Sequence, residues 1–487
     1  MGFMRKMSLQ LESPKSGSLH HEKNDAGEVV VTPVDALEEQ RVENDEVDGV
    51  FGAQGGDDTL NYRSLSWPSA AVILTKAQIG IGVLSIPGSF HVLGLIPGII
   101  LLVVFGAVTT WSDYYLGVFK LKHPQVYSLS DCGYLIGGPV VGEIFGAAYF
   151  LFMVFTVGSA LLTLSTALNA ISMHGTCTAV FVAVAAIAVY PIASLRTLNK
   201  IKWLGWIGIV SIVSAILLVT ISIPAGGRPS LAPQTGPLDL DIKLFGDSSF
   251  ADAMNSVVNL FWAFSGTPGF LPVASEMRDP RDYRKAVIAC QSFVVSFYAV
   301  VGIVVYVYAG QYVASPALGT AGVLIKRISY GLALPGLFFT GVYYVHLPAK
   351  WIFVRILRNS YHLTHSTPTH WAVWLGCTFG CLMFAYIIAS AIPVFNGLLG
   401  LIGALFSVLL ALIAESMMWL WDNDSRFKDK KQRTPLLWAG VITNWVFILC
   451  GAFLIVGGTF GSILTIRDAY ATNRLSPWSC QDNSNSV

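Results

Sequence analysis

From Trp67 onward, apolar runs follow one another with only short polar breaks between them. An α-helix needs about 20 apolar residues to cross the hydrocarbon core of a bilayer. The pattern predicts eleven such spans, at roughly 68–90, 95–119, 141–170, 176–194, 203–224, 252–274, 286–310, 332–349, 370–390, 393–420 and 436–464. Residues 371–414 carry no charge and are too long for one helix, so a turn is placed at Ser390-Ala391-Ile392-Pro393. Proline fits a helix start but not its interior. Residues 286–325 are also uncharged, and a short extra segment around 311–325 is expected to lie at the membrane surface.

Two spans contain helix breakers near their middle. The first reads Lys76-Ala77-Gln78-Ile79-Gly80-Ile81-Gly82-Val83-Leu84-Ser85-Ile86-Pro87-Gly88. The sixth reads Phe261-Trp262-Ala263-Phe264-Ser265-Gly266-Thr267-Pro268-Gly269-Phe270-Leu271-Pro272. First and sixth are matching positions in two five-helix halves, and interrupted helices at matching positions point to a transporter substrate site. An unwound stretch frees N–H groups that can hold a carboxylate, aided by the positive end of a half-helix. Freed carbonyls can take an ammonium or a cation, and such backbone persists in a membrane only where it lines a cavity or is buried in protein. Glycine and proline are also common in membrane helices for packing reasons alone. The matched positions favour the site.

Composition fixes the class. Of 487 residues 54% are apolar and 12% charged, and the mean hydropathy is +0.61. A soluble domain carries about 25% charged residues, so the chain is predicted to be an all-α polytopic membrane protein. The seven cysteines are odd in number and mostly inside apolar runs, which does not suit a disulfide-stapled scaffold. The net charge of +1 conceals two parts. Residues 1–66 hold 13 acidic and six basic groups. They have no apolar core or secretory signal, and are expected to form a disordered cytosolic tail. A transmembrane body over 67–464 and a short C-terminal tail over 465–487 complete the division. With the N-terminus in the cytosol, 23 Lys and Arg fall inside and six outside, as the positive-inside rule requires. The C-terminus is then external.

The residues around the breaks also carry a family resemblance. Thr75-Lys76-Ala77-Gln78-Ile79-Gly80-Ile81-Gly82-Val83-Leu84-Ser85-Ile86-Pro87 resembles the first-helix signature of the amino acid/auxin permease family. So do Ala263-Phe264-Ser265-Gly266 with Glu276-Met277-Arg278-Asp279-Pro280, and Ile392-Pro393-Val394-Phe395 with Leu401-Ile402-Gly403-Ala404. Over about 62–464 the chain resembles fungal neutral amino acid permeases. The resemblance implies a LeuT-type fold of five-plus-five inverted repeats plus one C-terminal helix, and secondary active import, commonly coupled to protons. Ala414-Glu415-Ser416 departs from it, standing where a more apolar, proline-containing helix end is expected.

Lys76 is the lone basic residue within the spans. A cation there costs on the order of 3 kcal/mol on insertion scales and usually pairs or marks an ion path. One turn before Gly80, its ammonium could stand where a sodium ion would otherwise bridge two helices. Glu276 closes the sixth span beside basic residues and is a candidate gate or proton relay, set against a solvated helix end. Asp113, Glu143 and Glu415 lie near predicted span ends and read as interfacial first. The expected substrate pocket is formed by Gln78, Ile79, Gly80, Ile81, Gly82, Phe261, Phe264, Ser265, Gly266 and Thr267, with Tyr149, Thr340, Tyr343 and Tyr344 as facing candidates. No acidic residue lies at either break, which favours a neutral amino acid.

No cofactor, metal site or nucleic-acid partner is expected, and no enzyme chemistry stands out. Cys377 and Cys381 lack a partner set for a metal, and no Walker-type loop is present. The lipid bilayer and regulatory proteins reading the tail are the expected partners, and the plasma membrane, ahead of the vacuole, the expected location. A nutrient-sensing receptor on a transporter scaffold is the alternative. An embedded acyltransferase lacks its His or Asp constellation, and a channel its filter-like ring.

Overall fold

The computed structural model describes residues 47–48, 52–53, 65–196, 202–226, 228–358, 360–363, 365–429, 433–472 and 476–484. In the unit Met1–Tyr62, β1 (Val47–Asp48) and β2 (Gly52–Ala53) pair antiparallel. The disorder expected over 1–66 otherwise falls outside the described residues up to Leu65.

The unit Arg63–Val487 is helical. Its first span comprises α1 (Trp67–Gln78) and α2 (Ile86–Leu93), followed by α3 (Leu95–Lys122), α4 (Leu129–Ser172), α5 (Thr178–Ala193) and α6 (Lys202–Ser222). The sixth span comprises α7 (Phe250–Ala263) and α8 (Phe270–Glu276). Then come α9 (Tyr283–Ala309), α10 (Val323–Ile356) and α11 (Pro368–Ala391). The tenth span joins α12 (Phe395–Ile402) through two π-helical turns to α13 (Ala414–Lys428), and α14 (Pro435–Ala471) ends the series. Ten of these spans are long and apolar enough to cross a membrane; α5, the fourth, is apolar but has 16 residues.

Local chemistry sets the boundaries. Ser128 and Asp131 form a reciprocal capping box at the start of α4, which satisfies two otherwise orphaned donors. Thr367 before Pro368 and Thr434 before Pro435 cap α11 and α14 with a hydroxyl while proline supplies the first turn, as helix starts prefer. The third span begins twelve residues before the apolar run does, because α4 kinks instead of ending at Gly137-Gly138-Pro139; Gly138 has φ 71°, a value few other residues adopt. Several helices likewise run past their apolar stretch into charged residues, α3 to Lys122 and α13 to Lys428. The segment expected at the membrane surface around 311–325 is two short 3-10 turns, Gly310–Tyr312 and Ala317–Gly319.

The eighth span packs on the third and fifth, the first on the seventh, and the sixth on the eleventh. Large apolar side chains remain exposed around the outside, among them Val140, Ile187, Leu449 and Val456. Such a surface is stable against lipid and not against water. The helical layout thus makes this an integral membrane protein.

The face on which the first span begins is termed near, the other far. On the far side a disulfide joins Cys177, before α5, to Cys480. The tail around it is further held by Asn483, which bonds Asn169 and Ser165, and by the Trp478 N–H to the Ser390 carbonyl. The cysteine count did not reveal this bridge.

Candidate functional site

Both predicted breaks are present and share one construction. α1 ends at Gln78, residues 79–81 are irregular, and a 3-10 turn (Gly82–Ser85) leads into α2. α7 ends at Ala263, residues 264–266 are irregular, and a 3-10 turn (Thr267–Gly269) leads into α8. The longer half-helix lies on the near side in the first span and on the far side in the sixth, as an inverted repeat requires.

The breaks touch. A Cβ on Gly82 would stand 2.7 Å from Ala263 Cα, so only glycine permits this approach. Helix breaks strand carbonyls, and buried carbonyls need donors. Here side chains supply them. Gln78 Nε2 donates to Phe264 O at 2.9 Å, and Tyr344 Oη to Ala77 O at 3.0 Å. Tyr298 Oη lies 2.9 Å from Gln78 O and 3.0 Å from Ala263 O, sharing one proton between the two breaks. The carbonyls expected to be open to an ammonium are thus already occupied at four positions.

Between the breaks lies a small cavity. Of the expected pocket, Gln78, Gly80, Ile81, Gly82 and Ser265 line it, with Thr340 and Tyr344 from the eighth span. Trp262, within the sixth-span break sequence though not among the expected pocket residues, also lines it, as do Phe152 and Thr156, which lie one turn apart on α4 and which no local sequence signal marked. The indole N–H of Trp262 has no hydrogen-bond partner among the described residues. Ile79, Phe261, Phe264, Gly266 and Thr267 are fully or nearly fully enclosed but not in the lining. Phe261 packs edge-on against Phe105, and Phe264 against Tyr298. Gly266 backs onto Gln78 and Phe270, and Thr267 donates to Asp113 at 2.7 Å. Tyr149 and Tyr343 are not lining residues either; Tyr149 faces Trp351, and Tyr343 stacks on Phe339.

Lys76 is 6% exposed and lines the cavity. Its ammonium donates to Thr340 Oγ1 at 3.0 Å and stands 5.7 Å from the Phe339 ring. It therefore fastens the first span to the eighth and does not reach an aqueous surface. Glu276 ends α8 away from the cavity, and among the described residues no ion pair holds it. Its backbone carbonyl accepts the Leu65 N–H at 3.1 Å.

Two of the three acids read as interfacial are not. Glu143 is exposed and pairs with Arg355. Asp113 and Glu415, by contrast, are completely buried, because neighbouring helices cover the parts of α3 and α13 that carry them, Asp113 being bonded by Thr267 and Gln291. The helix continues through Ala414-Glu415-Ser416 despite its polar character.

Residues 63–464 match the family described as transmembrane amino acid transporter protein. A transmembrane transporter of Gibberella moniliformis is 33% identical over 431 residues, covering 88% of this chain and 90% of that protein. An N amino acid transport system protein of Neurospora crassa is 31% identical over 430 residues, covering 86% and 89%. Among solved structures, a Na+-coupled sialic acid symporter in a substrate-bound outward-open state aligns with a TM-score of 0.51 at 13% identity, over 83% of this chain and 91% of that one. That likeness is of fold, and the fold is the LeuT-type arrangement expected from the resemblance.

Proposed function

The chain belongs to the transmembrane amino acid transporter family, and from that premise we propose that it imports neutral, aliphatic and aromatic amino acids by alternating access coupled to protons. The observation that carries this reading is the cavity at two broken spans. Its lining combines Ile81, Phe152, Trp262 and Tyr344 with a few polar groups and no carboxylate. Small-molecule sites are built this way, apolar with sparse polar contacts. The first donor of the Gly82–Ser85 turn and the Trp262 indole suit a substrate carboxylate. The Lys76 ammonium disfavours a cationic side chain.

Proton coupling is supported by Lys76. An ammonium bridging the first and eighth spans stands where a coupling cation could do the same work, so sodium is not required there. The Lys and Arg asymmetry supports a cytosolic N-terminus, and the plasma membrane is the location proposed with it. The far-side disulfide agrees, since such bonds persist in oxidising compartments.

Counterflow in proteoliposomes tests the proposal. Leucine, phenylalanine and tryptophan should exchange and lysine should not compete. A proton gradient should drive accumulation and a sodium gradient should not. Absence of exchange for all three neutral amino acids would refute the substrate reading, and sodium-driven accumulation the coupling.

A further inference from the structure

Behind the sixth-span break, outside the cavity, two carboxyl groups share one buried region. Asp113 on α3 is 0% exposed and fully bonded: Oδ1 accepts from Thr267 Oγ1 at 2.7 Å and Oδ2 from Gln291 Nε2 at 2.5 Å. Glu415 on α13 is 0% exposed, and among the described residues at most one donor, the Ser112 hydroxyl of α3, serves it. Ser416 on α13 and Tyr283 on α9 present buried hydroxyls without partners among the described residues. Asp113 bears electrostatically on Glu415, and both bear on Tyr283. Cys290 on α9 feels the charge of Asp113, and Cys132 on α4 that of Glu415, with Asp131 and Lys120 also acting on Cys132. Among the described residues no basic side chain acts on either carboxyl.

These two acids differ in what they can tolerate. An ionised carboxylate with two donors can persist in the interior, whereas one served by at most a single hydroxyl is costly to bury. A neutral carboxylic acid at Glu415 removes that cost. Several cation-ligating oxygens would be needed to hold a metal ion instead, and Asp113 is already committed to its two donors.

Resting on the proton-coupled reading above, we propose that Glu415 is the group that carries the coupling proton, with Asp113 linking it to the substrate site. A hydronium ion reaching the pocket from the far side transfers its proton to a Glu415 oxygen and leaves as water. On the near side the O–H bond breaks and water takes the proton. The link to substrate runs through Thr267, which follows the cavity residue Ser265 by two positions and bonds Asp113 directly. Movement of the 3-10 turn that carries Thr267 withdraws a donor from Asp113 and so changes the field at Glu415. Proton binding and the state of the sixth-span break are then coupled reciprocally.

The test uses the full chain in proteoliposomes with a trapped pH dye, comparing wild type, Glu415→Gln, Asp113→Asn and the surface control Glu143→Gln. Expected is that Glu415→Gln loses substrate-dependent proton entry by about tenfold more than it loses amino acid exchange. Its uptake should become flat against pH, Asp113→Asn should shift the pH profile, and Glu143→Gln should match wild type. In unmutated protein, dicyclohexylcarbodiimide, which attacks protonated carboxyls in apolar surroundings, should modify Glu415 as read by peptide mass. Wild-type proton entry per substrate in Glu415→Gln, or an unmodified Glu415 in actively transporting protein, would overturn the assignment. If wild type itself exchanges amino acid without moving protons, the coupling reading fails and this one with it. If sodium drives wild-type uptake and Glu415→Gln abolishes that, the pair is a cation site and the proton assignment is wrong.

Discussion

Replacing Gly82 by alanine adds one methyl group at the point where the two broken spans meet. The new Cβ would lie 2.7 Å from Ala263 Cα and 3.1 Å from Ala263 Cβ, against an ordinary carbon–carbon separation of about 3.5–4.0 Å. The nearest obstacle is backbone, so no side chain can rotate to make room. The two breaks must separate by roughly 1 Å or distort, and overpacking of this kind costs about 1–3 kcal/mol. That energy opposes the conformation in which the breaks touch, and it corresponds to a five- to 150-fold shift in a conformational equilibrium, in the same approximate range. Gly80 provides the comparison, since its Cβ would meet only Thr340 Oγ1 at 3.8 Å. Gly80→Ala should therefore fold and turn over, its methyl entering the cavity and penalising the largest substrates through KM. Radiolabelled uptake in proteoliposomes, normalised to inserted protein, separates the cases. Gly82→Ala should lose turnover by at least about fivefold at comparable insertion, on the approximate scale of 1.4 kcal/mol per decade. Full turnover by Gly82→Ala, or equal impairment in both variants, would refute the contact argument.

Lys76→Ala removes the ammonium joining the first and eighth spans, so the dependence of uptake on pH and cations should change more than KM; unchanged profiles would remove Lys76 from ion coupling. Tyr298→Phe deletes the hydroxyl shared by Gln78 O and Ala263 O, and leaving buried acceptors unpaired costs about 1–3 kcal/mol, visible as a lower Tm in detergent. Alkylation before and after reduction should find Cys132, Cys290, Cys377, Cys381 and Cys450 as thiols and Cys177 and Cys480 as a bridge. Arg355→Ala should leave uptake and Tm nearly unchanged, because its pair with Glu143 is exposed and such pairs contribute about 0–1 kcal/mol.

Both breaks were legible because glycine and proline act on the backbone where they stand. Gly80, Gly82, Gly266 and Pro268 needed no tertiary information to interrupt a helix. Side chains on other spans were not legible in that way. Phe152 and Thr156 reach the cavity only because the third span lies alongside the break, and nothing local to α4 says so. Asp113 and Glu415 were misplaced for a related reason: both lie inside their predicted spans, but hydropathy does not say which part of a span other helices will cover. Burial of an acid by neighbouring helices leaves no trace in its own sequence neighbourhood. Phe261, Phe264 and Thr267 flank the break as expected, but the helical phase turns them toward α3 and α9, away from the cavity.

The bond between Cys177 and Cys480 spans 303 positions and closes the fourth to eleventh spans into a covalent ring, leaving the first three outside it. Cys480 follows the last span in the chain, so the ring can shut only after every helix has crossed and the two ends have met on the far side. Ring closure is therefore a record of completed assembly, written once per molecule. A reduced fraction would report molecules whose topology is unfinished, independently of whether they transport.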